Sequence, residues 1–195
     1  MLGRELVGSR GTVVTFEPMP DTRKILAHNL GKNAASSQQH IIPAAAGSAR
    51  GQLTFQDFGL TGSAFATSGT TRNDNYKSLG TVDVDVFTLD DVVEDLGLTS
   101  CRLLKIDAEN AEMEVVKGGT KMISALKPNI ILETGDDAYG QHLSRPVIEL
   151  LLSFGYVPFE FKDWALRPHQ LSEAYGYQNL LLIHNEREQE IPLIT

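Results

Sequence analysis

The chain has 195 residues, 42% of them hydrophobic, which is enough for one substantial core and fits a single domain over residues 1–195. A net charge of −8 argues against a broad nucleic-acid or anionic-membrane surface, although it leaves a small basic pocket open. The single cysteine, Cys101, excludes an internal disulfide and a paired-cysteine metal knuckle, and it lacks the electropositive setting of a reactive thiol. The longest apolar runs, such as "PNIILE" and "NLLLIH", are too short to cross a bilayer. No basic-then-apolar leader opens the chain, so a cytoplasmic protein without membrane contact is expected.

From the amino end, "GTVVTFEP" (residues 11–18) is a β-branched run stopped by Pro18 and Pro20, which predicts a strand. "DTRKILAHNLGKN" predicts a helix with Ile25, Leu26 and Leu30 on one face and Asp21 placed to cap it. "QHIIPAAAG" reads as one buried strand, "GSARG" as the turn after it, and "GQLTF" as a partly exposed strand. Residues 59–75 are rich in Gly, Ser, Thr and Asn and predict a long surface loop. "TVDVDVFTL" alternates strictly, with Val82, Val84 and Val86 on one face of a half-buried strand. A short amphipathic helix, "LDDVVEDLGL", precedes "CRLLKID", which reads as a buried strand. "AEMEVVKGGTKMISAL" predicts a helix with a weak point at Gly118 and Gly119. "KPNIILET", "SRPVIELLLSFG" and "YVPFEFK" then read as strand, helix and strand, and "YQNLLLIH" closes the sheet.

Alternating strands and helices predict an α/β fold with a mostly parallel sheet covered on both faces. The last two strands are joined without a helix, which suits an antiparallel edge hairpin. Ligands in such sheets bind outside the carboxyl ends of the strands. Three acids stand there: Glu17 after "VVTF", Asp107 after "LLKI" and Glu133 after "NIIL", and all three are expected along one edge of one sheet. Glu17, directed by Pro18, offers the two acceptor oxygens that suit a ribose diol; a solvated strand-end acid is the plainer reading. For Asp107, Glu109 and Glu112, helix capping and chemistry compete, because acids in a first helical turn are favoured by about 0.3–1 kcal/mol each. Glu112 has the spacing to reach back to a free amide, whereas Asp107 lies before the turn. Lys105, inside the apolar strand, either snorkels to an edge or pairs with a neighbouring strand's acid. The five histidines show no metal-ligand spacing, and His142 alone lies near the inferred edge, as a candidate for substrate contact or base work.

The segments "VVTFEPMP", "HNLGKN", "AAAGSARGQLTF", "TLDD", "LLKIDAENAEMEVVKGG", "KPNIILE" and "FGYVPF" together resemble the FkbM family of S-adenosylmethionine-dependent methyltransferases. The resemblance runs from about residue 11 to residue 159, and "LLKID" with "AE" and "KGG" is its most specific part. It implies a class I methyltransferase, Rossmann-like sheet with a reversed last hairpin, the cofactor S-adenosylmethionine, and a small hydroxylated acceptor such as a sugar or polyketide. It implies that Glu17, with Pro18, holds the cofactor's ribose hydroxyls, and that the turn around Ala45 and Ala46 lies near the adenine. Asp107 borders the cofactor and, with Glu109, faces the methyl-transfer centre; Glu133 sits on the substrate side. Asp107 and His142 are the proton-acceptor candidates, and the site needs no metal.

Two departures stand out. Asn110 replaces the glycine usual in "EGAE", a position where Asn is the side chain that best tolerates a positive φ. The first strand and its glycine-rich loop, which grip the cofactor's methionine end in this fold, are missing, and "MLGRELVGSRG" reads as the end of the helix that follows that loop. The chain is therefore expected to be an amino-terminally incomplete member that binds S-adenosylmethionine weakly or not at all. Exposed strand edges would also invite a homo-oligomer. The rival expectation is a non-catalytic remnant or binding module with the same fold.

Overall fold

A computed structural model of the protein describes residues 7–31, 38–60, 78–136 and 143–190. The expected amino-terminal helix end falls largely outside these residues, as do most of the 59–75 loop and His142. The chain divides into two compact units, Met1–Phe87 and Thr88–Thr195. Among the described residues no helix is long and apolar enough to cross a membrane.

In the first unit, β1 (Thr12–Phe16) pairs in parallel with β2 (Gln38–Ile42). Helix α1 (Pro20–Gly31) joins them. Proline suits its first position because φ is preset and the missing N–H would find no helical partner. Asp21 lies inside the first turn and pairs with Lys24 at 2.7 Å instead of capping. None of the helix's residues is buried, and Ile25 is 45% exposed, so the expected apolar face packs little. The run "QHIIPAAAG" is not one strand but two: Pro43, with no N–H to give a ladder, separates β2 from β3 (Ala44–Ala46). Strand β3 pairs in parallel with β5 (Gly80–Phe87), which pairs antiparallel with β4 (Gly51–Asp57). Met19, Ala45, Phe55, Val84 and Val86 form this unit's apolar cluster, with the half-buried Val82 against it, as the alternation of β5 requires.

The second unit holds five strands in the order β6 (Leu103–Ile106), β7 (Asn129–Thr134), β10 (Gln178–His184), β8 (Tyr156–Lys162) and β9 (Ala165–Pro168). Strands β6 and β7 are parallel, and β10 runs antiparallel to both β7 and β8. The reversed last strand is thus present, but it lies inside the sheet, and β9, hidden in the sequence as an irregular link, forms the edge. The sheet expected to be mostly parallel and continuous is resolved as three sheets in which three pairings are parallel (β1–β2, β3–β5, β6–β7) and four antiparallel. Among the described residues no strand lies on the far side of β1 or β6, so each stays at an edge. That position explains why β6 is less buried than its apolar run suggests: only Ile106 is buried, and Leu103 is 51% exposed.

Ile106, Ile130, Leu132, Leu180 and Leu182, all at most 2% exposed, form the sheet side of the second core. Val116 and Ile123 on the helices α3 (Glu112–Lys117) and α4 (Thr120–Leu126) are fully buried, as are Ile148 and Leu151 on α5 (Ser144–Ser153). The predicted single helix is divided into α3 and α4 at Gly118–Gly119. Gly119 is also where the fold leaves no room for a side chain: a Cβ there would stand 2.8 Å from Leu89 Cδ1, on the helix α2 (Leu89–Asp95).

Candidate active site

The register of β6 on β7 pairs Ile106 with Leu132, so one further step sets Asp107 abreast of Glu133 at the carboxyl ends of both strands. Side chains alternate along a strand, so Lys105 and Asp107 share a face. The Lys105 ammonium binds the Asp107 carboxylate, a partner on its own strand instead of the neighbouring strand's acid. Asp107 also forms a side-chain hydrogen bond with Glu133.

Burial pushes Asp107 up, but the hydrogen bond with Glu133 and the Lys105 ammonium outweigh it and hold its carboxyl below the usual value. Glu133 moves the other way. Burial, then the Asp107 carboxylate beside it, push it up to about 7, so near neutral pH the pair shares one proton, which Glu133 carries and donates to Asp107. Tyr177, immediately before β10, donates its hydroxyl to Glu133 Oε2 at 3.2 Å. The β7–β10 register brings Tyr177 opposite Gly135, where a Cβ would lie 3.0 Å from the ring.

After Asp107 the chain makes a tight turn. Glu109 and Asn110 both take positive φ, 48° and 76°, and the Ala111 N–H donates to the Ala108 carbonyl at 3.0 Å. Two consecutive left-handed residues mark a mirror-image turn, and Asn110 fills a position that favours glycine. The Ala108 N–H, which the turn leaves free, donates to Glu112 Oε1 at 2.9 Å. Glu112 thus reaches back as its spacing suggested, while Asp107 caps nothing. The Glu109 carboxyl is raised by its own burial and by the negative charges of Asp107 and Glu112.

A pocket of about 270 Å³ opens beside this cluster. Glu109, Asn110, Glu112, Glu133 and Tyr177 form its polar side; Met113, Leu132, Leu143, Pro146 and Val147 form its apolar side. Asp107, abreast of Glu133, is not part of the wall. The far rim is rigid: Asp136 accepts from the N–H groups of Ser144 and Tyr175, each at 2.8 Å, and the Gly135 N–H donates to Ser144 Oγ at 2.9 Å.

Glu17 belongs to the other unit, following β1, so only two of the three strand-end acids share a sheet. One sheet edge holding all three would need a strand joining β1 to β6, and the described residues hold none. The Glu17 carboxylate accepts from the Met19 N–H at 2.8 Å, and Arg23 donates to the carbonyls of Glu17 and Pro18 at 3.2 and 3.1 Å. Burial raises the Glu17 carboxyl against the effects of the Met19 amide and Arg23. Ala45 is packed into the first unit's apolar cluster, and Ala46, half-buried, ends β3. Tyr177 was the site residue that sequence reasoning passed over, because an aromatic at the head of an apolar run reads as the start of a strand.

A family model described as the methyltransferase FkbM domain matches residues 2–158. The chain belongs to that family. Among relatives of the FkbM-family chain is methyltransferase sdnD of Sordaria araneosa, 29% identical over 164 residues, which are 72% of this chain and 62% of that protein. The crystal structure of methyltransferase FkbM from Methylobacillus flagellatus KT is similar in fold, with a TM-score of 0.50 at 17% identity. That likeness covers 89% of this chain and 36% of the solved one. The FkbM-family chain thus spans less than two thirds of the length of either relative.

Proposed function

We propose that this FkbM-family chain carries out, or forms part of a protein that carries out, S-adenosylmethionine-dependent O-methylation of a hydroxyl on a sugar, polyketide or similar small molecule. The observation that supports it most is the carboxyl pair Asp107–Glu133 beside a pocket large enough for part of a small acceptor. The acid after the second strand of a nucleotide-binding sheet ordinarily holds a ribose diol. Glu17 fits that use: a carboxylate has about four lone-pair sites, and the Met19 N–H takes one. Bound there, S-adenosylmethionine would supply an electrophilic methyl group on a sulfonium.

The chain's own residues would place the acceptor and take its proton. A general base works best with a pKa near the operating pH. Glu133 meets that condition and lines the pocket, whereas Asp107 is depressed and is not among the lining residues. We therefore assign proton acceptance to Glu133, with Asp107 tuning it, and positioning of the acceptor to Glu109 and Tyr177. His142 lies outside the described residues and receives no role.

The test is transfer of a tritiated methyl from S-adenosylmethionine, at millimolar concentration, into a panel of hydroxylated small molecules. Incorporation is expected to fall roughly 10²–10⁴-fold in Glu133→Gln. No incorporation into any member, or equal incorporation by the variant, would contradict the assignment.

A further inference from the structure

Tyr177 is 76% exposed, yet its backbone is fixed. Two residues earlier the buried Tyr175 exchanges backbone bonds with Asp136: the Asp136 N–H donates to the Tyr175 carbonyl at 2.9 Å, and the Tyr175 N–H to the Asp136 carboxylate at 2.8 Å. The buried Thr134 hydroxyl reaches the carbonyls of Gly176 and Gln178, at 3.4 and 3.2 Å. The ring rests over Gly135, whose missing Cβ makes room for it, and its hydroxyl is held by Glu133. A large aromatic face presented to solvent on immobilised backbone loses little freedom when a ligand settles on it.

The charge around it is selective. Among the described residues lining the pocket there is no Lys, Arg or His. Two of its acids are engaged: Glu112 by the Ala108 amide, and Glu133 by Asp107, whose carboxylate pairs with Lys105, while Glu109 faces the pocket as well. Such a surface repels an anion and can both donate to and accept from hydroxyl groups.

We propose that Tyr177 is the platform of the acceptor pocket and that the pocket selects an uncharged, polyhydroxylated saturated ring over its carboxylate-bearing counterpart. This rests on reading the pocket as the acceptor site. The ring's C–H face lies on Tyr177, and its hydroxyls meet Glu133 and Glu109. Gly135 is part of the same device, because a Cβ there would stand 3.0 Å from the aromatic ring, which would have to shift to accept it.

The experiment is a saturation-transfer NMR titration of the chain with methyl pyranosides and the matched methyl uronates, without cofactor. At least one neutral pyranoside is expected to bind about tenfold more tightly than its uronate, and to lose about tenfold in Tyr177→Ala. Tyr177→Phe, which keeps the face, stays within about threefold of wild type. Gly135→Ala, which shifts the ring without removing it, loses less than Tyr177→Ala, while circular dichroism shows all three variants folded. Equal binding of uronates, unchanged binding by Tyr177→Ala, or no pyranoside binding at all would overturn the proposal. Methyl transfer to another acceptor class with the pyranosides silent would sink the platform alone. Pyranoside binding without any methyl transfer would sink the enzymatic reading alone.

Discussion

Glu133 and Asp107 are chemically alike, yet their surroundings send them in opposite directions, and this separation suits proton transfer. Asp107, clamped by Lys105, stays ionised; burial and then the Asp107 charge keep a proton on Glu133 up to about pH 7. If deprotonated Glu133 is the base, turnover should rise with pH through about 7. Asp107→Asn removes the neighbouring charge, so the rising limb should shift to lower pH; an unmoved limb would disconnect the pair from catalysis. Glu112→Gln should leave the profile in place and change stability by about 1 kcal/mol or less, read by urea denaturation, since Glu112 bonds the Ala108 amide and is not among the charges that shift Glu133. The strand-end positions of Asp107 and Glu133 were legible in the sequence because an apolar run stops at each. Their coupling was not, since it depends on the β6–β7 register, which no local pattern encodes.

The turn and helix ends around the site follow local rules, though some partners come from afar. Asn110 sits at φ 76°, so Asn110→Gly should be nearly neutral, whereas Asn110→Ala should cost roughly 1–2 kcal/mol in equilibrium unfolding. Equal stability of the two variants would mean the turn is not left-handed. Helix α2 begins with a capping box, in which Thr88 and Asp91 satisfy each other's amides, a signal readable from spacing alone. Helix α4 has no cap of its own: Asp90, on α2, accepts from the N–H groups of Lys121 and Met122, at 3.2 and 2.8 Å. Asp90→Ala should therefore cost about 0.5–2 kcal/mol, with faster amide exchange in the first turn of α4. Protection unchanged in that turn would refute the cap. The Gly118–Gly119 break was visible as a weak point; the approach of Leu89 to Gly119 was not.

For the whole chain, the alternation of strands and helices was legible, as was the reversed last strand. The divided sheet was not, because a run such as "QHIIPAAAG" has one hydrophobic pattern but partners in two sheets. The raised acids also give stability a pH dependence. A carboxyl whose folded pKa exceeds its unfolded one favours the folded state most below the unfolded value and loses that advantage as pH rises through the folded one. For Glu133 the window runs from 4.5 to about 7, and Glu17 and Glu109 act in the same direction. Wild type should thus lose thermal stability relative to Glu133→Gln between roughly pH 5 and pH 8; a constant difference between them would deny the shift. The most direct measurement is a carbon-13 NMR titration of the Glu133 side-chain carboxyl, in wild type and in Asp107→Asn. A midpoint near 7 that falls on removing the Asp107 charge is the predicted result; a wild-type midpoint near the ordinary 4.5, unmoved by the substitution, would contradict a shared-proton site at these strand ends.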